Sequence, residues 1–248
     1  MIIIAIDNND NIYAMGYTYS ADFPTVNAYD ASLNALRDGF VTKLSSAGFV
    51  EYSTFIGGTS DQYLNDIAVS GEGNAILVGQ TSSADYPTMN AFDADFGGET
   101  DVVVTKFSIS GTQLVYSTFL GGTRDDFGND IAVDNEGAVY VSGTTRSEDF
   151  PILNAFDPTP SDLSGQFDAF ITKFAPFPEI TCGDVDGSGE VNIGDAVYLI
   201  NYIFAYGAAP VDPEGGDTNC DVSTNITDAV VLINYIFASG PAPCEACP

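Results

Sequence analysis

Apolar and polar positions follow two different rhythms along this chain. Up to about residue 174, short runs rich in β-branched and aromatic residues are bounded by Gly, Asp, Asn or Pro, which is the pattern of strands separated by turns. Beyond residue 190 the spacing becomes helical. Ala196-Val-Tyr-Leu-Ile-Asn-Tyr-Ile-Phe204 and Ala229-Val-Val-Leu-Ile-Asn-Tyr-Ile-Phe-Ala238 predict two short, nearly identical helices. Their aromatic residues Tyr198, Tyr202, Phe204, Tyr235 and Phe237 recur at helical spacing, so most are expected in the core between the helices, with a minority facing a partner.

The strand region repeats itself with a period of about 64 residues. Ile4-Ala-Ile6 matches Ile67-Ala-Val69 and Ile131-Ala-Val133. Asp22-Phe-Pro24 matches Asp85-Tyr-Pro87 and Asp149-Phe-Pro151, each followed by Asn-Ala-(Tyr/Phe)-Asp. Phe40-Val-Thr-Lys43 matches Val103-Val-Thr-Lys106 and Phe170-Ile-Thr-Lys173, and Tyr52-Ser-Thr-Phe-Ile-Gly-Gly58 matches Tyr116-Ser-Thr-Phe-Leu-Gly-Gly122. With Tyr13-Ala-Met-Gly16, Ile76-Leu-Val-Gly79 and Tyr140-Val-Ser-Gly143 each unit has four strands, and Asp7–Asn11, Gly71–Gly73 and Asp134–Gly137 close its first hairpin. Four antiparallel strands at this period are the sequence form of a propeller blade. The landmarks resemble the bacterial β-propeller repeat called SBBP over about 1–174, a resemblance that implies architecture and brings no catalytic residues. Three units, the last without its Tyr-Ser-Thr-Phe strand, fall short of the four to eight blades of a closed propeller. The open flanks and unpaired strand edge therefore predict self-association, as a two-chain ring or a head-to-tail polymer, or else a piece of a longer propeller.

Ahead of each helix lies a twelve-residue loop with oxygen-bearing residues at alternate positions, as a hard cation such as Ca²⁺ requires. In the first, Asp184, Asp186 and Ser188 stand at positions 1, 3 and 5, Gly189 allows the turn, and Glu190 offers its carbonyl. Asn192 holds a water and Asp195 closes the cage and caps the helix. In the second, Asp217, Asn219, Asp221, Ser223 (by its carbonyl), Asn225 and Asp228 repeat these positions 33 residues on. Val222 at the turn position and Thr224 two residues later make the second site the weaker expectation. Two such loop–helix units with Asp at position 12 resemble a type I dockerin over about 182–248. The resemblance implies two bound Ca²⁺ and a helix face that docks onto a cohesin partner.

Composition narrows the rest. Thirty-five acidic against six basic residues, a net charge of −29, argue against nucleic acid or an anionic membrane as partner and suit a cation-rich exterior. No run approaches a membrane span, and the apolar start Met1-Ile-Ile-Ile-Ala-Ile6 is cut off by Asp7 too early for an export signal. The four cysteines, Cys182, Cys220, Cys244 and Cys247, are confined to the tail, where two disulfides in an oxidising compartment are expected. Three connectivities exist, of which we favour Cys182 with one of the two C-terminal cysteines; a zinc site built on Cys244 and Cys247 lacks a second ligand pair. Asn225-Ile-Thr227 is also a glycosylation sequon.

The absence of histidine removes Ser-His and Cys-His nucleophilic pairs and leaves only carboxylate-pair chemistry open. Asp61, Asp66, Asp125, Asp126 and Asp130 are expected to accept backbone hydrogen bonds in turns, and Lys43, Lys106 and Lys173 to fix the blades. The expected organisation is a mainly β body of three four-stranded blades (1–174, the third incomplete), a Pro-rich linker (175–181) and a small α-helical Ca²⁺-binding domain (182–248). The expected function is a non-enzymatic extracellular interaction protein. The alternative is an accessory of a carbohydrate-degrading or adhesive complex, which the lack of Trp for a sugar platform disfavours.

Overall fold

The computed structural model describes residues 2–159, 166–177, 183–185, 191–205, 210, 216–219, 223–238, 240 and 243. The chain divides into two compact units, Met1–Pro178 and Glu179–Pro248. The first is all β. Strands β1 (Ile2–Ile6), β2 (Ile12–Thr18), β3 (Asp38–Leu44) and β4 (Val50–Ile56) form one antiparallel sheet in sequence order. Strands β5 (Gln62–Val69), β6 (Ala75–Thr81), β7 (Asp101–Phe107) and β8 (Leu114–Leu120) form the next. Strands β9 (Asp126–Val133), β10 (Val139–Thr145) and β11 (Asp168–Phe174) make a third sheet that has three strands among the described residues. The first strands lie beside one another, β1 against β5 and β5 against β9, so successive sheets stack face to face.

This stacking explains the residue pattern. Successive side chains of a strand point to opposite faces, and β7 sends Val103 into the core shared with the first sheet and Val102 and Val104 into the core shared with the third. Every residue of β7 and β8 is buried. At the flanks, equivalent positions are bare. Ile67 and Ile131 face the preceding sheet and are 6% and 8% exposed, whereas Ile4, in the first sheet, is 64% exposed. Val41 and Val104 face the following sheet at 0%, whereas Ile171 in β11 is 80% exposed.

The repeated motifs have physical work in each unit. Asp7 accepts the N–H groups of Asn9 and Asn11 (2.8 and 2.9 Å), and Asp134 those of Glu136 and Ala138 (3.0 and 2.9 Å), which closes the first hairpins. The Ser-Thr pair of the fourth strand ties down the loop before β3 and β7. Ser53 and Ser117 donate to the carbonyls of Pro24 and Pro87 (2.8 and 2.6 Å), and Thr54 and Thr118 accept the N–H groups of Asp30 and Asp93 (both 2.9 Å). The Gly-Gly exit runs against the next sheet, where a Cβ on Gly58 would sit 2.5 Å from Asp85 Oδ1. There the Thr59 N–H donates to Asp85 (2.9 Å), and its counterpart Thr123 to Asp149 (3.0 Å).

Several expectations are corrected. Asp66, Asp126 and Asp130 lie within strands β5 and β9, not in turns, and Asp61 and Asp125 pair with Arg37 (2.9 Å) and Arg146 (3.0 Å). Phe177, placed by sequence in the linker, packs into the body with its ring stacked on Tyr116 at 3.9 Å. Lys43 and Lys106 are buried at 5% and 1%, while Lys173, with no fourth strand beside it among the described residues, stays exposed near Asp134 (3.9 Å).

Candidate metal centres

The second unit contains helices α1 (Ile193–Ala205) and α2 (Ile226–Ala238), packed together over a small core of Val185, Ala196, Leu199, Ala229 and Leu232. Each loop ends in the same clamp. Asp195 accepts the N–H of Val185 (2.7 Å) on one oxygen and that of Asn192 (2.7 Å) on the other. Asp228 accepts the N–H of Asn219 (3.2 Å) and that of Asn225 (2.8 Å). One carboxylate thus joins the beginning of its loop to the end, and both are fully buried.

The caps differ from the expectation that Asp195 caps the helix. Asn192 is the N-cap, its side-chain oxygen accepting the Gly194 N–H (2.7 Å), and Asn225 does the same for Thr227 (2.9 Å). Asp195 and Asp228 are the third helical residues and reach back to the cap's own N–H, a capping box with Asp in the usual Glu position. Asn225 also donates its amide to the carbonyl and hydroxyl of Ser223 (2.9 and 3.1 Å), so the nitrogen that glycosylation would need is engaged. Asn219 donates to the Thr227 hydroxyl (2.8 Å).

Of the sequence-predicted ligands, Asp184, Asn192, Asp195, Asp217, Asn219, Ser223, Asn225 and Asp228 are described, whereas Asp186, Ser188, Glu190 and Asp221 lie outside the described residues. Among the described residues no three acidic, cysteine or histidine side chains converge. All four cysteines and Val222 also lie outside them. The donor set nonetheless fits a hard cation. Asp195 and Asp228 are 0% and Asp217 4% exposed, and ionised carboxylates at such depth need a positive partner. The sequence of this unit contains no Lys, Arg or His. All six basic residues, Arg37, Lys43, Lys106, Arg124, Arg146 and Lys173, lie in the first unit, a segregation readable directly from the sequence.

The helix aromatics are a correction. Tyr202, Phe204, Tyr235 and Phe237 are exposed, and only Tyr198 packs partly on the core. Exposure is matched between the helices: Ile193 and Ile226 at 49% and 46%, Val197 and Val230 at 50% and 49%, Phe204 and Phe237 at 64% and 67%. A groove lined by Val191, Ile193, Tyr235, Ile236 and Phe237 joins the start of α1 to the end of α2.

Parts of both units match known families. Residues 182–237 match the Dockerin type I domain, and residues 4–24 and 115–151 match the Beta-propeller repeat. Along the chain, propeller-repeat matches are followed by a dockerin match. Dockerin type I domains bind calcium, dock onto cohesin partners and are typically extracellular, and both modules are interaction modules. The regulatory protein FlaEY of Caulobacter vibrioides is 27% identical over 155 residues, covering 62% of this chain and 15% of that protein. Among the described residues no helix is long and apolar enough to cross a membrane.

Proposed function

We propose that this is an extracellular, non-enzymatic interaction protein in which a calcium-loaded dockerin module docks onto a cohesin-type partner while the blade body joins copies of the chain. The observation that carries the first part is the duplicated clamp, with a fully buried carboxylate at the end of each loop in a unit without basic residues. Asp184, Asp186, Ser188, Glu190, Asn192 and Asp195 would hold one Ca²⁺, and Asp217, Asn219, Asp221, Ser223, Asn225 and Asp228 the other, the second more weakly. The ion supplies charge neutralisation and a centre that pulls each loop closed against its helix. The exposed, matched apolar faces of α1 and α2 are the surface a partner would cover. Calcium titration by calorimetry tests this part: two ions per module are expected, and Asp195→Ala removes the first. A C-terminal unit equally stable in EGTA and in calcium would overturn it.

For the body, the occupant we assign to the open flanks is a second copy. The bare faces carrying Ile4 and Ile171 are repeat equivalents of the two sides of an interior junction, so the front of one copy matches the back of another. Light scattering should show association that Ile4→Glu or Ile171→Glu disrupts while β structure persists. A stable monomer at all concentrations would refute it.

A further inference from the structure

The second and third sheets meet at a carboxylate pair that neither calcium loop involves. Asp101, the first residue of β7, is 1% exposed, and Asp126, the first of β9, is 0% exposed. Each uses one oxygen on a backbone turn. Asp101 Oδ2 accepts the Gly97 N–H (2.7 Å), and Asp126 Oδ2 accepts the Gly122 N–H and the Ser147 hydroxyl (both 2.8 Å). The remaining oxygen of each, Oδ1, is buried and has no partner in hydrogen-bond geometry, although the Gly98 N–H lies near enough to draw the Asp101 carboxyl downward. Orphaned carboxylate oxygens at that depth are costly unless a cation or a proton meets them.

The surroundings supply more oxygen. A Cβ on Gly121 would sit 2.6 Å from Asp101 Oδ1 and 2.9 Å from Asp126 Oδ2. A Cβ on Gly98 would sit 2.8 Å from both Asp101 Oδ1 and the Gly122 carbonyl, and against the Arg124 carbonyl. Asp101 Oδ1 thus lies beside both glycines, with Asp126 Oδ2 near one of them and the Gly122 and Arg124 carbonyls near the other, and only glycine fits at either position. The arginines of this region are turned to other acids, Arg124 to Glu148 and Arg146 to Asp125 (both 3.0 Å). Burial, reinforced by the Asp126 charge, pushes the Asp101 carboxyl up to about 6.

The molecule contains its own control. At the junction of the first and second sheets the equivalent pair is Asp38 and Gln62, both fully buried and each again with an orphaned oxygen, Oδ1 and Oε1. There the Gln62 amide donates to Thr81 and Ser83 (3.2 and 2.6 Å), and a Cβ on Gly57 would sit 2.7 Å from Asp38 Oδ1. The cradle is the same but carries one negative charge instead of two.

We propose that the junction between the second and third sheets is a cation site in which Asp101 and Asp126, with the Gly122 and Arg124 carbonyls, hold one divalent ion of the Ca²⁺ type. All-oxygen ligation by carboxylates and carbonyls is the chemistry of a hard cation that accepts irregular geometry. The ion bridges β7 to β9 and so fastens one sheet to the next.

The decisive variant is Asp126→Gln, which installs the side chain that the neighbouring junction already accommodates and should therefore fold. Equilibrium dialysis of the full chain against calcium is expected to show one ion per chain fewer for Asp126→Gln than for the parent. A chain with Asp195→Ala and Asp228→Ala should still retain one ion, which separates this site from the calcium loops. Asp101→Asn, of unchanged size, provides the same subtraction, and circular dichroism reports whether each variant is folded. Equal calcium counts in parent and folded variants would overturn the proposal.

Discussion

In the body, β7 and β8 are buried along their whole length on both faces, while among the described residues of the C-terminal unit the fully buried core is Val185, Ala196, Leu199, Ala229 and Leu232. Both units nevertheless bury carboxylates completely: Asp38, Asp101 and Asp126 in the one, Asp195 and Asp228 in the other. In the body these acids sit at the ends of strands whose apolar faces already hold the sheets together. In the tail the acids tie each loop's ends together, and the described apolar core behind them is small. Small modules with so few buried side chains usually lean on metals or disulfides. The same chemical feature is therefore supportive in one unit and constitutive in the other.

Chelation should separate the two most sharply. Each loop saturated at a hundred times its dissociation constant contributes about 2.7 kcal/mol. EGTA is thus expected to abolish the thermal transition of the C-terminal unit while the body keeps its β-sheet circular dichroism. Loss of both signals together would mean that the two units do not differ in their dependence on the ion.

The converse experiment removes apolar volume from the body. Phe107 is fully buried in the core between the first two sheets, where Tyr29 meets it edge-on at 6.1 Å. Phe107→Ala should cost about 3–5 kcal/mol and lower only the body's transition, calcium present or absent.

Smaller and more diagnostic is the contrast between Val104 and its repeat equivalent Ile171. Val104→Ala, at 0% exposure, should cost about 2 kcal/mol, whereas Ile171→Ala, at 80% exposure, should stay within about 0.5 kcal/mol in dilute protein. If a second copy covers that flank, the Ile171→Ala cost grows with protein concentration, and denaturation at two concentrations measures it.

What was legible in the sequence follows the same division. Blade landmarks stood out because each recurs at a fixed period, and each recurs because it does local work, such as Ser53 and Ser117 holding Pro24 and Pro87. The loop–helix units stood out because the carboxylates recur 33 residues apart. The faces of α1 and α2 were not legible, since helices apolar nearly all round do not reveal which stripe turns inward. Tyr202 and Phe237 went outward, while Ala196, Ala229 and two leucines formed the contact. The cap was misread for a related reason: Asn192 and Asp195 are both good N-cap residues, and only the backbone decides between them. The pair Asp101 and Asp126 joins two strands through the stacking of sheets, and strand pattern alone carries no such information. Aligning the repeats at Asp38, Asp101 and Asp168 was the signal that could have drawn attention to it.

The finest test concerns protons at the seams between sheets. The N–H of Thr59 holds the Asp85 carboxyl below its ordinary value of 3.8, and the N–H of Thr123 does the same for Asp149. A carboxyl whose value is lowered by folding stabilises the fold fully above its unfolded value, and that contribution is lost as pH falls through the folded one. Burial acts in the opposite sense on Asp38, whose carboxyl is raised and which favours the fold as pH drops. The difference in denaturation midpoint between the parent chain and Asp149→Asn should therefore be full at pH 7, begin to shrink near pH 4 and vanish below the lowered value. Because Asp149 is exposed, the difference is small and should fade in high salt. A difference that persisted unchanged into strong acid would mean that Thr123 is held by the geometry of the turn, with the charge of Asp149 contributing nothing to the seam.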